Sequence, residues 1–174
     1  HIYPSSFMLT DSTYAISNSH IDYCMADTSL LVKDFRLSTG RQFIEANGIA
    51  STHPTDSLRI RLQEIQASYL LPFFLPEHTL TVQGNLSGWA NLYGLFSSPM
   101  FEADVKLDSA GLNGAYIGDA VAKVALDKNN NHILIQGDVT EANHHVAHVD
   151  GLVEPDEHAW EINILPDSFS LAFI

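Results

Sequence analysis

Residues 80–88 read Leu80-Thr-Val-Gln-Gly84-Asn-Leu86-Ser-Gly88. Leu80, Val82, Gly84 and Leu86 alternate here with Thr81, Gln83, Asn85 and Ser87. Successive side chains of a β-strand point to opposite sides of the sheet, so a two-residue period gives one apolar and one polar face. Upstream, Leu58, Ile60 and Leu62 alternate with Arg59, Arg61 and Gln63. Downstream, Ala103, Val105 and Leu107 alternate with Glu102, Asp104, Lys106 and Asp108, and Trp160, Ile162 and Ile164 with Glu161 and Asn163. An antiparallel sheet with one face wet and one face oily carries this pattern. The fold expected is all-β.

Other runs alternate less cleanly and still read as strands. Residues 7–10, 13–18 and 20–25 form an N-terminal group of short ones; 30–38, 42–50, 119–127, 133–140, 144–154 and 169–174 fill most of the rest. Turn chemistry is expected at Ser38-Thr-Gly40, Asp108-Ser-Ala-Gly111, Lys128-Asn-Asn-Asn131 and Pro155-Asp156. One or two helical turns fit within residues 65–75, before Pro76. The aromatics there read as a loop capping an end of the sheet.

A phrase of apolar, any, apolar, any, Gly, any, apolar recurs. It is clear around Gly84, Gly137 and Gly151 and degraded around Gly48. Each of these glycines falls on the oily face. Glycine weakens a strand, so its recurrence points to a bend, a bulge or a close approach of two backbones. The copies are irregularly spaced, which excludes a fixed-period solenoid and leaves a meander.

Composition narrows the function. The 174 residues hold 8 Lys and Arg against 21 Asp and Glu, a formal net charge of -13. Such a chain repels nucleic-acid phosphates and anionic lipid headgroups. Cys24 is the only cysteine, which excludes an internal disulfide and a Cys-based zinc site; beside Tyr23 and Met25 it reads as a small buried hydrophobe. No stretch reaches the roughly 18 apolar residues of a spanning helix. The chain opens at His1 and closes on an alternating stretch, Ser168-Phe-Ser-Leu-Ala-Phe-Ile174, and is expected to be part of something longer.

Catalytic and metal patterns fit poorly. His144, His145 and His148 cluster beside Glu141 and Asp150, yet no Glu follows the first His as a zinc-protease helix requires. On a strand, residues four apart are about 13 Å apart and neighbours face opposite ways. A solvated face without metal is expected. Asp127-Lys-Asn-Asn-Asn131 with Asp138 spaces oxygen ligands as a calcium loop does, but His132 stands where that loop needs Gly. Gly84-Asn-Leu-Ser-Gly88 places one residue too many before its Ser for a hydrolase elbow. No phosphate-binding or dinucleotide Gly pattern occurs, so neither an enzyme nor a cofactor is expected.

The stretch from Leu80 to Gly88, followed by Leu92-Tyr-Gly94, Ser98-Pro99 and Phe101-Glu-Ala-Asp-Val-Lys-Leu107, resembles the repeating phrase of TamB/AsmA-like proteins. Leu112-Asn-Gly-Ala-Tyr-Ile-Gly118, residues 120–126 and 133–137, and Asp150-Gly-Leu-Val-Glu154 continue that cadence. The likeness covers residues 30–174, as one continuous segment, and leaves the short strands of residues 1–29 unplaced.

The resemblance implies a long antiparallel sheet curled lengthwise into a taco-like trough with an apolar interior. It further implies a periplasmic protein anchored in the inner membrane outside this segment. Its function would be to conduct phospholipid between inner and outer membranes in outer-membrane biogenesis. The implied partners are phospholipid acyl chains and, through the parent chain, an outer-membrane assembly-type β-barrel protein. The residues expected to line the conduit are Leu58, Ile60, Leu62, Leu80, Val82, Leu86, Val105, Leu107, Val124, Leu126, Ile133, Ile135, Val139, Val149, Val153, Ile162 and Ile164. A structural or adhesive β-sandwich module of an envelope or secreted protein is the alternative.

Overall fold

The alternating runs become twelve strands in the computed structural model, which describes residues 1–9, 12–70, 81–127, 131–154, 157 and 159–167. They are β1 (Ser5–Leu9), β2 (Ser12–Ile16), β3 (His20–Cys24), β4 (Ser29–Thr39), β5 (Gln42–Ala50) and β6 (Ser57–Gln66). After the single helical turn α1 (Ala67–Leu70) come β7 (Val82–Tyr93), β8 (Met100–Leu112), β9 (Ala115–Asp127), β10 (His132–Glu141), β11 (His144–Glu154) and β12 (Ala159–Pro166). The helical turn lies within the span expected for it. Residues 71–75 of that span, Leu80, the strand expected at 169–174 and the turns at 128–130 and 155–156 lie outside the described residues.

The strands form one antiparallel sheet in the order β1-β2-β4-β5-β6-β7-β8-β9-β10-β11-β12, with β3 also paired to β4. β2 meets β4 at Leu37 and Ser38, and β3 meets it at residues 29–33. β1 and β12 stand at the two ends of that pairing order. By contacts the chain divides into two compact units. The first is His1–Ile65 with Leu86–Ala103, and the second is Gln66–Asn85 with Asp104–Ile174.

One turn falls elsewhere than expected. Asp108-Ser-Ala-Gly111 lies inside β8, and the reversal occurs at Asn113 and Gly114, with φ of 50° and 84°. A two-residue hairpin loop needs positive φ at both central positions, and Asn-Gly supplies this most cheaply. Ser109 also has positive φ, 54°, but its N–H donates to Asp119 Oδ1 at 2.8 Å. The side chain across the strand pair thus takes the donor freed by the irregularity, and the strand continues.

The recurring glycines sit where backbones crowd. Gly48 has φ +129°, and a Cβ there would collide with the Ser57 carbonyl oxygen. At Gly84, φ +127°, a Cβ would lie 2.8 Å from the Asp108 carbonyl oxygen and 2.9 Å from Leu107 Cδ1. Only glycine combines this conformation with that approach. β4 bends by another device. Its register against β5 shifts between Val32 and Phe35. Asp34, at φ 55°, donates its N–H to Asn47 Oδ1 at 2.6 Å. This is a bulge whose loose donor is satisfied by a side chain.

Candidate functional site

In an antiparallel pair, directly opposed residues share a face, so the strand register composes the apolar surface row by row. In the first unit, Val32, Gly48 and Leu58 make one row across β4, β5 and β6. Phe35, Ala46 and Ile60 make the next, and Leu37, Ile44 and Leu62 the third. In the second unit four rows cross β9, β10, β11 and β12. They are Leu126–Ile133–Val153–Trp160, Val124–Ile135–Gly151–Ile162, Ala122–Gly137–Val149–Ile164 and Ala120–Val139–Ala147–Pro166. No ionisable residue falls in any of these rows.

Of the conduit residues expected from sequence, Leu58, Ile60 and Leu62 come together in the first unit, and Val124, Leu126, Ile133, Ile135, Val139, Val149, Val153, Ile162 and Ile164 in the second. Leu86, on the first unit's stretch of β7, is half-buried, as are Val82, Val105 and Leu107 of the second unit. Leu107 reaches the space a Gly84 side chain would fill. Phe35, Leu37 and Ile44 belong to the first unit's face, and alternation alone did not single them out. Their membership follows from cross-strand register, which a single strand does not encode.

Burial distinguishes this surface from an ordinary core. Among the described residues the buried apolar side chains are Val32, Ala50, Ala67, Ala110, Val139, Ala147 and Val153. None is Leu, Ile or Phe, the types that rank beside Val in closed interiors. Of the sixteen expected conduit residues that are described, Val139 and Val153 are buried, Ile164 is 44% exposed, and the rest are half-buried. In the second unit the covering is uneven. Gly118, Gly137, Val139, Ala147 and Val153 are buried, Ile135, Val149 and Ile162 are half-buried, and Ile164 is exposed.

The opposite face of the second unit holds the histidines in an arrangement the spacing concealed. Thr140 pairs with His145 but Val139 pairs with Ala147, so Val146 is an extra residue on β11. The bulge turns His145 onto the face of His148, whereas regular alternation had aligned His144 with His148. His145 Nε2 lies 2.9 Å from Asp138 Oδ1, and its Nδ1 contacts Asp167. His148 Nδ1 lies 2.9 Å from the same Asp138 oxygen, and its Nε2 lies 3.5 Å from Asp150 Oδ1.

Carboxylates accept and do not donate, so an imidazole between two of them is favoured in its protonated form. The His145 and His148 pKa values are accordingly raised, first by Asp138, and that of Asp138 is lowered, first by His148 and then by His145. The arrangement holds protons. Among the described residues no group of three His, Cys, Asp or Glu is placed to hold a metal ion.

The expectation for Cys24 is corrected: it is exposed. It lies at the end of β3, a short strand in which Asp22 and Tyr23 are exposed as well, Tyr23 at 59%. Compared with known proteins, the chain matches no protein-family model, no curated protein and no solved structure.

Proposed function

We propose that this chain is one stretch of a hydrophobic conduit for phospholipid, of the kind the TamB/AsmA-like resemblance implies, working between the membranes of a bacterial envelope. Acyl chains lie against the apolar rows. The observation that carries the reading is a face made of paired Leu, Ile, Val, Ala and Gly rows whose large side chains stay half-open. An acyl chain gains about 0.8 kcal/mol for each methylene it buries against such a surface. Rows without ionisable groups give neighbouring positions similar energies, so a chain can shift along them without crossing a polar barrier. The headgroup stays outside the rows, in water.

The test is organic extraction of the purified chain followed by mass spectrometry, with Ile135→Asp alongside. Ile135 is half-buried in the middle of the second unit's rows, and a carboxylate there can stay hydrated. Phospholipid in the parent extract and its loss from a folded Ile135→Asp variant are expected. A lipid-free parent, after incubation with phospholipid vesicles, would contradict the reading.

A further inference from the structure

The polar face of the first unit carries a patch of opposite character to the rest of the chain. Arg36, Glu45 and Arg61 lie in one cross-strand row over β4, β5 and β6. Arg59 is two residues from Arg61 on β6 and therefore on the same face. Three of the chain's eight basic residues thus meet here, in a protein of net charge -13. The Arg36 guanidinium sits 3.8 Å over the Phe43 ring, Arg61 lies 5.4 Å from that ring, and Arg59 lies 5.0 Å over Trp89.

Their neutralisation is incomplete. Glu45 is ion-paired with Arg36 and reaches Arg61 only at 3.9 Å. Arg59 has no carboxylate within ion-pair distance among the described residues. Arg61 is 62% exposed at its side chain. A guanidinium held near a ring and not fully engaged by a carboxylate keeps planar N–H donors for bidentate contact with another one.

We propose that this patch docks an extended acidic segment of a partner protein, with carboxylates at alternate positions engaging Arg59 and Arg61. Residues two apart on a strand project the same way about 7 Å apart, which is also the spacing of alternate side chains in an extended peptide. Two charge-assisted pairs then form without bending either chain. Arginine with tryptophan and phenylalanine is the composition of protein interfaces. An anionic bilayer or a nucleic acid would meet the repulsion of the surrounding charge of -13. A short segment reaching only the patch escapes much of it. This docking is separate from the lipid reading, because the patch lies on the face opposite the apolar rows of the same unit.

The test is fluorescence anisotropy of a labelled Glu-Thr-Glu-Thr-Glu peptide with the intact chain, beside a Gln-Thr-Gln-Thr-Gln control. Saturable, salt-sensitive binding of the acidic peptide alone is expected. It should weaken at least about tenfold in Arg59→Gln/Arg61→Gln and stay unchanged in Lys123→Gln, whose exposed side chain lies on β9 in the other unit. Glu45→Gln, which removes the competing carboxylate, should tighten binding, an outcome misfolding cannot imitate. The proposal is overturned by no binding of the acidic peptide or by equal loss in Lys123→Gln. Binding unchanged or weakened by Glu45→Gln overturns it too, as does attachment to phosphatidylglycerol vesicles through the two arginines with the peptide ignored.

Discussion

Ile135 on β10 faces Gly151 on β11, and a Cβ at position 151 would lie 3.1 Å from the Ile135 Cβ. The missing side chain on one strand is the space that the branched side chain on the other occupies. The apolar face is therefore fitted across strands even where it remains half-open. The phrase recurring in the sequence records one partner of this fit, the glycine, and hides the other.

Gly151→Ala should destabilise the chain by about 1 kcal/mol through overpacking against Ile135. Combining it with Ile135→Ala should recover part of that loss. Urea denaturation of the two single variants and the double variant measures the coupling; strictly additive losses would show that the pair does not share this space.

Gly48 offers a sharper case. A Cβ there meets backbone, the Ser57 carbonyl oxygen, in a left-handed conformation. Gly48→Ala should cost about 3 kcal/mol or more, combining backbone strain with a clash that no rotamer relieves. Gly40→Ala, at φ +57° in a hairpin turn with nothing within 4 Å of the added carbon, should cost only about 1 kcal/mol. Comparable losses at the two positions would contradict the close approach.

His145 and His148 set a pH dependence. Their pKa values are raised by Asp138, and by Asp167 or Asp150 at the other nitrogen. A raised pKa contributes stability that is complete below the ordinary imidazole value of about 6.5 and disappears as pH rises through the folded value. The lowered Asp138 pKa contributes above the ordinary carboxylate value of about 3.9 and fails as pH falls through the folded value. The network is thus strongest at mildly acidic pH. Melting temperature should decline between pH 6 and 8, and less steeply in His145→Gln/His148→Gln. Identical slopes in the two proteins would mean that the network is not formed in solution.

How much of this the sequence disclosed varies with the physical signal. Strands were legible because burial of one face enforces a period of two, as at Leu58, Ile60 and Leu62. Glycines in apolar phases of strands pointed to a bend, a bulge or a close backbone approach, and at Gly48 and Gly84 it is the close approach. The β8–β9 turn was misplaced because Asp, Ser and Gly have turn character wherever they occur. Only the cross-strand bond from Ser109 to Asp119 distinguishes a bulge from a reversal. The His145–Asp138–His148 network was hidden by an extra residue, Val146, that breaks the alternation used to assign faces. Arg59 and Arg61 were visible as a polar phase, while Phe43, Trp89 and Glu45, which make them a patch, are distant in sequence.

The unequal burial of Val139 and Ile164 predicts unequal tolerance of charge on one apolar face. Val139 is 4% exposed and Ile164 44% exposed. Val139→Asp buries an unpaired carboxylate and should cost several kcal/mol, by about 3 or more. Ile164→Asp should change stability by less than about 1 kcal/mol, because the charge stays in water. Equal, severe destabilisation at both sites would indicate a closed core instead.

Photo-crosslinking tests the lipid account most directly. A photoreactive side chain is placed singly at Ile135 and Ile162 on the apolar face, and at Gln136 and Asn163 on the polar face of the same strands. The folded proteins are irradiated with phospholipid vesicles, and the adducts are identified by mass. Phospholipid adducts at positions 135 and 162, with none at 136 and 163, are the expected result. Equal labelling of the two faces, or no adduct at any position, would contradict the conduit and leave a structural module in its place.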